Sequence, residues 1–254
     1  MKLPMLCLPF ALCTAAIAGT PTPPPVETPV AYTTAETSDW QFRTALYGWA
    51  QSLDGDVTVR GFTAPVDLKF SDLLQDLDMA FMGLAEVSHG RWGLLVDVNY
   101  AKISDSLSLP RRGGTIEFNM RQWLVNSYVT YGVVRDDTTV FDVLAGARFN
   151  SMELELETGL GTRSNDKKWV DPVIGLRYQR NLSPSFFFRT VGDIGGFGVS
   201  SDLTWQAMAG LGWRFSDCGS ALIGYRVIDT DYDHGSFQYD ITADGPVLGV
   251  EFTF

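Results

Sequence analysis

Two short constellations in this chain of 254 residues carry side chains that do chemistry. Asp233-His234-Gly235-Ser236 sets a histidine two residues from a serine, the pair in which an imidazole takes the proton of an attacking hydroxyl. No carboxylate is identifiable to orient that imidazole, and Gly235 between polar residues suits the tip of a hairpin better. Asp229, Asp231 and Asp233 alternate, and Asp240 falls at the twelfth place, the oxygen spacing of a calcium loop. His234 stands where that loop needs glycine and no helices flank it, which excludes an EF-hand. The other histidine, His89, sits in a short turn without a nucleophile or ligand set, and the glycines from Gly192 to Gly198 precede no helix that could hold a phosphate. No catalytic residue, metal site or cofactor is predicted.

A third set of reactive groups emerges from the elements that carry it. From Trp40 onward apolar and polar residues alternate with a period of two, the mark of strands with two different faces. Trp205, Ala207, Ala209, Leu211, Trp213 and Phe215 form one face of a strand whose other face is Gln206, Met208, Gly210, Gly212 and Arg214. In a soluble periplasmic β-sandwich or lipocalin-like barrel such a face would be core, but aromatic ends framing small and aliphatic residues also describe a lipid-facing stripe between two interfacial girdles. Phe141 to Phe149, Ile174 to Tyr178 and Ala221 to Val227 repeat the arrangement; the segment from Ile116 to Gly132 does not, and a bulge is expected near Gln122 to Val125. The connections alternate in length: short at 88–92, 134–138, 181–185 and 216–220, long and mostly acidic at 52–78, 103–114, 152–168 and 229–240.

This pattern predicts an all-β fold, an antiparallel transmembrane β-barrel with short periplasmic turns and longer acidic extracellular loops. About ten strands are expected, with eight as an alternative, or twelve if the first long link holds short strands at 56–61 and 66–70 before a helical turn at 71–77. The faces opposite the apolar stripes then line the lumen, and they carry Arg43, Glu86, Asp97, Asp142, Arg148, Asp171, Arg177, Arg189, Asp193, Arg214, Arg226 and Glu251. Every cation in that set is arginine, whose planar fork binds a confined carboxylate through two bonds and cannot escape by deprotonating. A barrel of this size has an interior filled by side chains, so an Arg-carboxylate network is expected to plug or narrow it.

The chain starts with Lys2, an apolar run from Leu3 to about Ala15, and small residues at Ala16 and Ala18, the layout of a cleavable secretory signal over 1–18. Leu12 is too bulky for lipid attachment at Cys13, and removal of Cys7 and Cys13 leaves Cys218 without an intramolecular disulfide partner. Residues 19–39, rich in Pro and Thr, read as an extended periplasmic linker, with the barrel over 40–254. A net charge of -11 without a run of Lys or Arg excludes nucleic acid as a partner. The expected surroundings are outer-membrane lipid and lipopolysaccharide, with weak divalent-cation association at the acidic loops.

Residues 71–104, 169–178, 193–217 and the final Gly245-Pro-Val-Leu-Gly-Val-Glu-Phe-Thr-Phe254 resemble an uncharacterised family of Gram-negative outer-membrane barrel proteins. The resemblance covers most of 40–254 and implies fold and location in the outer membrane without implying catalytic residues. Leu248, Val250, Phe252 and Phe254 resemble the signal read by the outer-membrane assembly machinery. His234 with Ser236 resembles the His-x-Ser pair of lipid A deacylases over two residues only. The expected role is therefore a barrel without enzymatic activity, serving the envelope or surface interaction, with a narrow porin-like channel and a lipid-modifying enzyme as alternatives.

Overall fold

A computed structural model describes residues 40–59, 61–108, 115–158 and 161–254; the signal segment 1–18, the linker 19–39 and the tip of the 103–114 link lie outside the described residues. The chain runs through β1 (Trp40–Trp49), β2 (Ser52–Val59), β3 (Phe62–Leu68), α1 (Phe70–Gln75), β4 (Leu77–His89), β5 (Trp92–Ser108), β6 (Thr115–Arg135) and β7 (Thr139–Thr158). It continues with β8 (Gly161–Asn181), β9 (Phe186–Gly196), β10 (Leu203–Arg214), β11 (Gly219–His234) and β12 (Phe237–Thr253).

Among the described residues twelve strands form one sheet, of which ten close into an antiparallel barrel and two, β2 and β3, extend outside the closure. Closure runs from Arg43 opposite Thr253 to Trp49 opposite Val247, completed by Phe42 N–H to Phe254 O at 3.0 Å and Phe254 N–H to Phe42 O at 2.8 Å. Where β1 pairs with both β12 and β4, up to Leu46 opposite Gly83, the wall leaves no edge amides, the condition under which strands cross hydrocarbon. No helix among the described residues is long and apolar enough to cross one.

The first long link explains both strand counts. β12 pairs through its lower half with β1, then through Asp244 to Phe237 with β2, which pairs in turn with β3. The predicted strands at 56–61 and 66–70 are this hairpin, longer and starting earlier, and the predicted helical turn is α1. The handover sits at Gly245, where an added Cβ would lie 2.0 Å from the carbonyl oxygen of Ala50. Only glycine lets the two backbones approach this closely.

The apolar stripes face outward: Leu211, Ile223 and Leu248 are all more than half exposed. Near the short turns Trp92 meets Tyr131 at 4.8 Å, and nearer the long loops Tyr100 meets Trp123 at 4.5 Å, pairs suited to the two interfaces of a bilayer.

One expectation is corrected. β6 runs in unbroken register through Gln122 to Val125, and the shift lies instead between Gly132 and Val134. The faces of β6 look unclean because its inner face carries Leu124 and Tyr128, which belong to apolar layers inside the barrel.

Candidate functional site

The lumen is layered. At the end of the short turns, Arg177 grips Glu86 through two parallel bonds of 2.8 Å and donates through Nε to Asp142 at 2.8 Å. Arg43 donates to Glu86 and, at 2.7 Å, to Glu251. Arg189 holds Glu251 through bonds of 2.7 and 3.0 Å and also donates to Gln179. Three arginines thus bridge Asp142, Glu86 and Glu251 in one chain across the lumen. Such forks are directional and strong, and a carboxylate inside the barrel has nowhere else to discharge its lone pairs.

A second charged layer lies above. Arg148, fully buried, donates to Asp193 at 2.6 Å, Asn126 at 2.8 Å and Thr204 at 2.7 Å. Arg226 reaches Asp97 at 2.8 Å, Gln206 and the Tyr47 hydroxyl. Tyr47 donates to Asp97, and Tyr128 donates to Asp193 at 2.6 Å, so the anions in this layer have donors besides arginine.

Leu95, Leu144 and Val173 separate the two charged layers. Toward the long loops the interior turns apolar, with Trp169 stacked on Tyr232 at 4.4 Å and Leu73 of α1 tucked beside Ile103 and Ile241. Among the described residues a cavity of about 240 Å³ lies beside the lower layer, lined by Arg43, Arg177, Arg189 and Phe187, and another of about 130 Å³ lies between the layers, lined by Leu84, Leu95 and Met208.

Of the twelve predicted lumen residues, the structure brings ten into these two layers. Asp171 is fully buried and takes its bonds from Ser201, through N–H and Oγ at 2.7 Å, with no arginine among the described residues bound to it. Arg214 stands at the lower rim, donating to Asn181 at 2.6 Å with its guanidinium over the Phe187 ring. Sequence reading missed Arg135, which binds Asp142 at 3.2 Å. The shift after Gly132 reverses the alternation, so Arg135 points inward where an unbroken strand would have placed Val134. It placed Gln206 on the inward face without giving it a role, and it missed the neutral donors Tyr47, Tyr128 and Asn126, although Tyr47 lies at even spacing from Arg43, as Tyr128 does from Asn126.

The other constellations fall outside the lumen layers. His234 pairs with Phe237 at the end of the β11–β12 hairpin, with Gly235 in the left-handed region at φ 68°. On the outer face near the upper mouth Asp231 stands opposite Asp240, Asp240 opposite Asp56, and Asp54 opposite Asp67. Partial burial, then the carboxylates of Asp240, Asp202, Asp229 and Asp233, push the Asp231 carboxyl above its ordinary value. Among the described residues no group of three or more His, Cys, Asp or Glu is arranged to hold a metal ion.

No family model and no curated protein sequence matches the chain. The solved structure of the outer-membrane protease OmpT from Escherichia coli aligns with 86% of this chain and 98% of its own, at a TM-score of 0.52 and 10% identity. The fold is that of an outer-membrane β-barrel. The transport unit of the autotransporter AIDA-I from Escherichia coli covers 88% of this chain and 92% of its own at TM-score 0.43 and 13% identity. The Yersinia pestis attachment invasion locus protein Ail, in complex with sucrose octasulfate, covers 85% and 98% at TM-score 0.38 and 12% identity. At such identities likeness reaches the architecture of the barrel and stops short of its chemistry.

Proposed function

We propose that the chain is an integral barrel of the bacterial outer membrane, exported through a cleavable signal at 1–18, with an occluded lumen and no enzymatic activity. Its role is in the envelope or in surface contacts made by the acidic outer face. The observation that carries this reading is the bridged chain of Arg177, Glu86, Arg43, Glu251 and Arg189 across the lower lumen, roofed by a second charged layer and then by aromatic packing. A solute moving through would have to break several buried charge pairs at once, and each such pair costs about 3–5 kcal/mol to disrupt from one side.

The purified, refolded protein is therefore expected to give no conductance steps in a planar bilayer at any applied voltage. Steady steps would replace this reading with that of a narrow passive channel, which the cavities of about 240 and 130 Å³ within the lumen favour.

Leu248, Val250, Phe252 and Phe254 serve in this reading as the segment that engages the assembly machinery, and they lie on the outward face of the strand that closes the wall. Removing Phe254 also deletes two backbone bonds to Phe42, a loss of about 2 kcal/mol at about 1 kcal/mol net per bond. Less of the protein is expected in the heat-modifiable, folded form in outer-membrane fractions; an unchanged level would count against the role given to this segment.

A further inference from the structure

The wall has a window. β1 extends to Trp49 and β4 begins at Leu77, yet their last registered pair is Leu46 with Gly83. Beyond it β1 bends away into β2, which follows β12, and among the described residues the upper part of β4 has β5 alone as a ladder neighbour. The amide of Trp49 donates to the thioether of Met82 at 3.2 Å instead of to a strand carbonyl. Ala80 shares the inward side of β4 with Met82 and Leu84, yet it is exposed, with no strand of the described residues paired beside it on the β1 side.

The opening is a cavity of about 400 Å³, within the range of small-molecule sites. α1 contributes Phe70, Leu73 and Leu74 to its lining, β4 and β5 contribute Met82, Ala101 and Ile103, Gln51 is its one polar side chain besides Tyr47, and among the described residues no charged side chain lines it. Trp49 closes it toward the lumen, buried with Leu124 and Val247 and with the Arg226 guanidinium over its ring. Leu46 precedes the lining residue Tyr47, Phe81 lies between the lining residues Ala80 and Met82, and Leu248 pairs with the lining residue Gly48; the three are 59%, 50% and 64% exposed and belong to the outward apolar stripes. The slot thus adjoins the surface that faces lipid.

We propose that this slot between β1 and β4 is a binding site for a hydrocarbon chain, entered sideways from the bilayer by the acyl chain of a membrane lipid. The inference rests on the membrane placement proposed above. An apolar cavity without charge, opening onto hydrocarbon, gains nothing from water, whereas a chain inside it gives the lining atoms partners they otherwise lack. α1, six residues long and anchored by its buried Leu73, is the lid over the chain.

The full-length protein, in phosphatidylethanolamine and phosphatidylglycerol vesicles doped with a phospholipid carrying a diazirine at its acyl terminus, is irradiated, digested and mapped by mass spectrometry. Label is expected both on the outward stripe, at Leu46, Ile223 or Leu248, and in the slot, at Leu73, Met82 or Ile103. Gly48→Phe fills the mouth from a position where an added Cβ meets nothing within 4 Å, and Ala101→Phe fills the floor. In each variant that keeps its heat-modifiable mobility, slot label is expected to fall about tenfold, the cost of excluding about two methylenes, while stripe label stays. Stripe label without slot label, or slot label indifferent to both substitutions, overturns the site and leaves the membrane placement intact. Absence of label from both regions overturns the placement and the site together.

Discussion

Arg148→Met lowers the stability of the folded barrel by about 3–5 kcal/mol, the cost of stranding a buried charge. Arg148 is fully buried and supplies the cation facing Asp193, and its other two donors satisfy Asn126 and Thr204. Methionine fills much of the same volume but donates nothing, so Asp193 keeps only the neutral donors Tyr128 and Gln206. Replacing both partners, Arg148→Met with Asp193→Leu, is expected to recover most of the loss, because the destabilisation comes from the unpaired anion and not from the missing attraction. Urea titration of the vesicle-reconstituted protein, followed by heat-modifiable gel mobility, reads both variants. Equal midpoints for Arg148→Met and the native chain would mean that Asp193 is compensated some other way.

Gly245→Val is expected to prevent closure of the barrel. The added Cβ would lie 2.0 Å from the Ala50 carbonyl oxygen and 2.8 Å from its carbon, atoms of a backbone that is itself pinned by the Ala50 N–H to Pro246 O bond of 2.9 Å. Ordinary overpacking costs about 1–3 kcal/mol because side chains can rotate aside, and here the obstacle is main chain, so the strands must separate. The lesion falls where β12 passes from β1 to β2, and loss of register there also undoes the pairs from Trp49–Val247 downward. Gly48→Ala, with nothing within 4 Å of its Cβ, is the matched control and is expected to assemble normally. Folded protein recovered from outer-membrane fractions at native levels for Gly245→Val would refute the close-approach account.

Much of this architecture was legible in the residues. Strand alternation is a local property, since successive side chains must point to opposite faces, so the division of Trp213 and Leu211 from Arg214 and Gln206 could be read before any fold was known. The alternating lengths of the links set the threading, and the β2–β3 hairpin with its helical turn was visible as a minor count. The inward charges were also legible, because a face that is polar on an otherwise apolar strand must look into the lumen.

What the tertiary structure decided was partnership and enclosure. Arg177 and Glu86 lie 91 residues apart and Arg226 and Tyr47 lie 179 apart, so their meeting depends on the stagger of strands around a closed wall, which no local pattern encodes. Asp171 turned to Ser201 for the same reason, and a single extra residue in β6 brought Arg135 inside. The apolar upper lumen was hidden because an inner face carrying Trp169, Tyr232 and Ile241 looks, in sequence, like an outer one. The window between β1 and β4 exists only because β12 is long enough to pair with two strands in succession, drawing β2 out of the wall and leaving α1 to cover the gap. Periodicity assigns each residue to a face; only the closed sheet, through its register and shear, determines what stands opposite it.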